Sequence, residues 1–196
     1  AAVQIGLAFY GHRPVKSYYL GASEGGREAM MMAQRYPQDY DGIISIDPVM
    51  NFTGLQTFGN YLGGIVQSRP GGWLGGKVQL VHDTVKAACD SLDGIADGVV
   101  SNYKACKPVA DAAITAKRCA SGSDEGAACF SDAQLESIRA ARGGYIFSFP
   151  LANGMTSYAG FNYGGEGLVG AWDRWLVGAV APSLATVADV NASRVY

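Results

Sequence analysis

The stretch from Ser17 to Ile46 constrains this chain most, because its local patterns follow one another in the order strand, turn, helix, strand. Ser17-Tyr18-Tyr19-Leu20 is a short β-prone run, Gly21 to Gly26 is a glycine-rich turn, and Arg27 to Tyr36 is rich in the helix formers Ala, Met, Glu and Gln. Pro37 stops that helix. Asp41-Gly42 then supplies a turn before Ile43-Ile44-Ser45-Ile46, a continuous apolar run of the kind a buried parallel strand presents. The fold class expected from this unit is α/β.

Gly21-Ala22-Ser23-Glu24-Gly25 matches G-x-S-x-G, with a β-prone run before it and a helix after it, as the motif requires. A sharp strand-to-helix turn would hold Ser23 in a strained conformation with its hydroxyl projecting from the sheet edge. Glycines two residues to either side would let backbone pack without Cβ clashes. The following helix turns its positive N-terminus toward a reacting carbonyl, and the Glu24 amide is placed to donate to a developing oxyanion. Glu24 would act through its backbone, not its carboxylate. The competing reading is an ordinary glycine-rich turn or a phosphate loop, but no G-K-[ST] accompanies it. The unit therefore reads as part of an α/β-hydrolase core with Ser23 as nucleophile.

The rest of the chain bounds the setting. Its 196 residues are 48% hydrophobic and 16% charged, enough apolar material for a buried core. The fifteen Lys and Arg are scattered and the formal net charge is −2, so no basic stripe offers itself to nucleic acid. No apolar run approaches the roughly 18 to 20 residues that span a bilayer, so a membrane is not an expected partner. The chain lacks an initial Met, and Val3 to Tyr10 looks like the end of an amphipathic helix entered partway, which suggests a fragment or processed piece with any export signal removed. Residues 51 to 76 are glycine-rich and read as an excursion from the sheet. A helix resumes from about 77 to 88, Cys89 to Cys129 is polar and loop-like, Ser131 to Arg142 has an N-cap followed by helical spacing, and 143 to 175 is dense in Gly, Tyr, Phe and Trp. The expected division is residues 1–76 as part of a catalytic core and 77–196 as an inserted, loop-rich cap over it.

The four cysteines fall between positions 89 and 129. Pairing Cys89 with Cys106 and Cys119 with Cys129 is the economical arrangement, although three connectivities remain open. Neither C-x-x-C nor a neighbouring His supports zinc, and disulfides imply an oxidising compartment, so a secreted or periplasmic protein is expected. Between them lies Cys89-Asp90-Ser91-Leu92-Asp93-Gly94-Ile95-Ala96-Asp97-Gly98-Val99. Three carboxylates, Asp90, Asp93 and Asp97, with the Ile95 and Val99 carbonyls turned inward by the glycines, suit a hard cation that wants six to eight oxygens, and Ca2+ fits that chemistry. The spacing is not that of an EF-hand. A cluster of solvated Asp-Gly turns is the plainer alternative, and a structural role is expected rather than a catalytic one.

The run Ser17 to Glu28, continuing through Gln34-Arg35-Tyr36-Pro37 and Asp39-Tyr40-Asp41-Gly42, resembles the tannase and feruloyl esterase family. Later segments agree in order: Val81-His82-Asp83, the Cys89 to Gly98 loop, and Cys129-Phe130-Ser131-Asp132-Ala133-Gln134. The similarity extends over about 180 residues. It implies a Ser-Asp-His triad on an α/β-hydrolase core that cleaves esters of aromatic acids, of feruloyl, galloyl or terephthaloyl type, beneath a large lid with structural calcium. Glu24 after the nucleophile makes the chain similar to the bacterial branch that includes mono(2-hydroxyethyl) terephthalate hydrolase. By the same resemblance Trp175 corresponds to a lid tryptophan facing the substrate ring; a core tryptophan is the alternative. Ala22 stands where the family usually has a cysteine bonded beside the catalytic His. The family's triad acid and base follow the lid. His12 precedes the nucleophile, His82 matches a non-catalytic position and Asp47 follows too early a strand, so none of the three is assigned to the triad. The expected partners are a small aromatic ester and the remainder of the protein's own catalytic domain. A second reading is a catalytically silent, calcium-stabilised lid or binding module.

Overall fold

A computed structural model describes residues 2–66 and 68–178. The chain divides into two compact units, Ala1–Phe52 and Thr53–Tyr196, a division that falls ahead of the one expected at residue 76. In the first unit, α1 (Ala2–Tyr10) buries none of its residues and leaves Ile5, Phe9 and Tyr10 exposed. It precedes β1 (Tyr18–Ala22), α2 (Glu24–Arg35) and β2 (Gly42–Ile46).

The two strands pair in parallel, with Leu20 opposite Ile44 and Ala22 opposite Ile46. The sequence thus encodes the expected strand, turn, helix, strand unit. Asp41 ties its open end: its backbone N–H donates to the Ser17 carbonyl at 2.7 Å, its carboxylate accepts from Ser17 N–H at 2.8 Å, and Lys16 pairs with it at 2.7 Å. The Lys16 ammonium, with help from that amide, holds the Asp41 carboxyl below the usual range. Helix α2 packs on both strands through buried Gly26 and Ala29. Ile43 to Ile46 differs from expectation in burial. Tyr18, Leu20, Ile44 and Ile46 share the alternate positions of the sheet and are 71%, 67%, 59% and 43% exposed, so one sheet face is open to solvent.

The second unit holds the main core. Segment 51–76 is not simply an excursion: α3 (Phe52–Asn60) runs into a π-helical turn at Tyr61–Val66, which places Phe58, Leu62 and Val66 inside. In α4 (Val78–Cys89), Val78, Val81 and Val85 fall on one face and are buried. The polar Cys89 to Cys129 stretch, expected as loop, contains α5 (Tyr103–Ala116), capped by Asn102, whose side chain accepts from Ala105 N–H. Pro108 and the scattered Lys residues hid this helix. Its buried face, Cys106, Ala110 and Ile114, packs on α4 and so outweighs weak local preference. Ser131 caps α6 (Asp132–Gly143) in a capping box with Gln134, in keeping with the N-cap read from sequence. A short antiparallel pair, β3 (Tyr145–Ile146) and β4 (Ser157–Tyr158), opens the aromatic segment.

A buried lysine links these parts. Lys77 Nζ donates to Asp124 Oδ1 at 2.9 Å, to the Cys129 carbonyl at 2.7 Å and to Gln134 Oε1 at 2.9 Å, so all three of its donors are used. Gln134 Nε2 in turn donates to the Trp73 carbonyl and to Asp124 Oδ2.

Candidate active site

Ser23 follows the last residue of β1 and is the N-cap of α2, with φ 57° and ψ −113°. A non-glycine residue there is strained, at a typical cost of about 1–3 kcal/mol. The turn is held by backbone: Ser23 N–H donates to the Ile46 carbonyl at 2.9 Å, and the Ser23 carbonyl accepts from Arg27 N–H at 3.1 Å. Ser23 is exposed. Because Arg27 is the first residue to return a bond into the helix, the N–H groups of Glu24, Gly25 and Gly26 precede the ladder, as at any helix start. The Glu24 carboxylate is occupied by an ion pair with Arg27, whose guanidinium also lies 4.4 Å above the Phe52 ring.

The glycine requirement of the turn is not symmetric. A Cβ at Gly21 would fall 2.1 Å from the Gly25 carbonyl oxygen, and one at Gly26 would fall 2.4 Å from the Ile46 oxygen. At Gly25 a Cβ would meet nothing within 4 Å. The glycine that admits the second strand is therefore Gly26, one residue beyond the motif. Asp47, just after β2, is the other non-glycine residue with positive φ among the described residues, at 44°. Both strained residues thus sit at the carboxyl ends of parallel strands, where α/β sheets bind ligands.

Neither histidine has the geometry of a triad base. His12 is exposed with its ring nitrogen on the Arg13 carbonyl. His82, on α4, is mostly buried, and its Nδ1 has no hydrogen-bond partner; Glu166 Oε2 stands 3.6 Å away, beyond hydrogen-bond length.

Trp175 lies in a π-helical turn, Asp173–Val177, and is 39% exposed. With Leu55, Phe58, Leu62 and Phe161 it lines a cavity of about 120 Å³ whose walls are almost wholly hydrocarbon. The sequence signals for the other walls were the apolar spacing of Leu55, Phe58 and Leu62 and the aromatic density beyond residue 143. Neither specifies a cavity until α3 and the aromatic segment pack together.

The disulfides are Cys89–Cys106 and Cys119–Cys129, with Cα separations of 5.1 and 5.0 Å. In the intervening loop, Asp90 Oδ1 accepts from Gly98 N–H at 2.8 Å, Asp93 Oδ1 from Ile95 N–H at 3.0 Å and Asp97 Oδ1 from Val99 N–H at 3.0 Å. The Ile95 amide is the main reason the Asp93 carboxyl lies below its usual range. Donor type suits a hard cation, since every candidate ligand is oxygen. The carboxylates do not converge: among the described residues, the three-ligand group within 4.8 Å of one another is Cys119, Glu125 and Cys129. Both of those cysteines are in a disulfide and offer no thiolate. The Lys86 ammonium also lies against Gly98, where a Cβ would come within 2.9 Å of it.

Comparison with known proteins places the chain among esterases. The chain is 35% identical over 157 residues to an uncharacterised esterase of Agrobacterium fabrum, covering 76% of this chain and 28% of that protein. It is 34% identical over 197 residues to the mono(2-hydroxyethyl) terephthalate hydrolase of Piscinibacter sakaiensis, covering 87% of this chain and 32% of that one. Among solved structures, feruloyl esterase B from Aspergillus oryzae superimposes with a TM-score of 0.69 at 26% identity, over 93% of this chain and 35% of that chain. The chain therefore spans about a third of the length of the relatives it matches. The family model described as tannase and feruloyl esterase matches residues 1–194, and the chain belongs to that family.

Proposed function

We propose that the protein is a serine carboxylic ester hydrolase acting on esters of aromatic acids, with Ser23 as the nucleophile. The observation that carries this is the strained φ of Ser23 at a strand-to-helix turn, a conformation whose cost makes sense where the hydroxyl must be presented to substrate. Ser23 Oγ attacks the ester carbonyl and loses its proton to a general base. The Glu24 N–H donates to the carbonyl oxygen as it becomes an oxyanion, the alcohol leaves with a proton, and water then releases the acid from the acyl-serine. The base is supplied from residues outside this chain, since neither His12 nor His82 is disposed for it. The aromatic-walled cavity at Trp175 receives the acyl ring, and residues 77–196 form the lid domain. Relatives named for feruloyl and terephthalate esters support the ring, while the disulfides support an oxidising, extracellular setting. The expected result is that Ser23→Ala abolishes hydrolysis of methyl ferulate and p-nitrophenyl acetate and labelling by a fluorophosphonate. Activity that survives the substitution removes Ser23 from the mechanism, and a native chain that is never labelled favours the silent-module reading.

The same reading gives the Asp90 to Val99 loop to calcium. Asp90, Asp93, Asp97 and the Ile95 and Val99 carbonyls would hold the ion, which supplies structural cross-linking and no chemical step. Because the carboxylates are not drawn together, binding must close the loop and displace Lys86. Chelation is expected to lower the melting temperature by several degrees, with recovery on adding Ca2+ but not Mg2+. An unchanged melting temperature rules the site out.

A further inference from the structure

The Glu166 side chain is fully buried and that of Arg142 is 4% exposed, yet neither belongs to the chemistry above. Arg142 Nη2 donates to Glu166 Oε1 at 2.6 Å, and Gly164 N–H donates to both carboxylate oxygens at 3.2 and 3.0 Å. The Nε and Nη1 atoms of Arg142 have no hydrogen-bond partner. The guanidinium instead lies on aromatic faces, 3.8 Å from the Tyr163 ring centre and 5.4 Å from that of Trp172. Tyr163 is fixed by donating to Asp111 at 2.9 Å, and burial with that bond pushes its phenol up to about 12, so it stays neutral at any working pH.

A buried ion pair is a poor way to gain stability, because apolar residues of similar volume often do as well. What a planar guanidinium adds is direction. From Arg142 the contacts lead to the ring-binding cavity by two routes. Trp172 meets Phe161 at 6.0 Å between ring centres, and its backbone N–H donates to the Glu166 carbonyl at 3.4 Å. Phe161 N–H donates to the carbonyl of Ala141, the residue before Arg142, at 2.9 Å. Phe161 lines the cavity, and Trp172 is the N-cap of the turn that carries Trp175.

We propose that Glu166 is a positioning residue for the aromatic wall of this cavity: it orients the Arg142 guanidinium, which sets Trp172, Phe161 and the turn bearing Trp175 against Leu55 and Phe58. This rests on the cavity being the acyl-ring site. The test uses the protein as its gene encodes it, with methyl ferulate as an ester that fills the cavity and p-nitrophenyl acetate as one that does not. Glu166→Gln is expected to raise KM for methyl ferulate about tenfold while kcat/KM for p-nitrophenyl acetate stays within about twofold. The double variant Glu166→Leu with Arg142→Met leaves no charge unpaired and only the Gly164 N–H short of its acceptor, so it unfolds at a higher temperature than Glu166→Leu alone, but it keeps the raised KM. A double variant with native KM overturns the positioning role and leaves the ring site standing. Trp175→Ala provides the separate check: if it leaves KM for methyl ferulate unchanged, the ring-site reading fails and this inference with it.

Discussion

At the scale of single residues, the turn around Ser23 concentrates cost in a few atoms. The backbone of Ser23 is held in its strained conformation by hydrogen bonds to Ile46 and Arg27. Gly21 must lack a side chain because the Gly25 carbonyl occupies the space, whereas Gly25 faces no atom within 4 Å. Gly21→Ala is therefore expected to destabilise the protein by about 2–3 kcal/mol through overpacking. Gly25→Ala should be neutral or stabilise by up to about 1 kcal/mol, since it replaces a helical glycine. Urea unfolding of the two variants measures the difference, and equal losses would show that the motif's two glycines serve the same steric purpose.

Between elements, the polar connection through Lys77 matters as much as the apolar core. It joins the start of α4 to the Cys119–Cys129 loop and to the capping box of α6. Lys77→Met removes three donors and leaves Gln134 and the Cys129 carbonyl short of a partner, at a cost of about 2–3 kcal/mol. The Lys77 ammonium is the main cause of the lowered Asp124 carboxyl, with the Gly126 amide second. A depressed carboxyl adds stability above its unfolded value and loses it as pH falls through the folded one. Native protein should therefore lose stability on acidification from about pH 5 downward, and the Lys77→Met variant should lose less over that range. Melting temperatures of the two proteins across the acid range check this, and parallel curves would overturn it.

At the scale of the molecule, the open face of the two-stranded sheet is the main anomaly. Parallel sheets are covered on both faces as a rule, yet Tyr18, Leu20, Ile44 and Ile46 are exposed here. Together with relatives about three times as long, this supports the proposal that the remainder of the catalytic domain covers the face. In the gene-encoded protein, Ile44→Asp should then cost about 3 kcal/mol or more, the penalty for burying a charge. A loss within about 0.5 kcal/mol, the value for a surface site, would mean that nothing covers it.

How much was legible from sequence follows from the range of each interaction. Strand, turn, helix and strand were readable because adjacent residues carry them, as was the Ser131 cap, which needs only Gln134 three residues on. Helix α5 was not, because Pro108 masks it and its stability comes from a face buried on α4. The Trp175 side of the cavity was suggested by family resemblance alone; Phe58 and Phe161 join it from more than a hundred residues apart. The role of Gly26 was missed because its neighbour, the Ile46 carbonyl, arrives only when β2 pairs with β1.

The sequence by itself determined the local conformations and the chemical inventory: an elbow serine, acidic loop and cysteines spaced for short bridges. Packing decided the rest, because burial and close approach depend on residues distant in the chain. It made Gly21 and Gly26 obligatory and Gly25 not, paired the cysteines, buried Glu166 against Arg142, and assembled an aromatic cavity that no run of sequence contains.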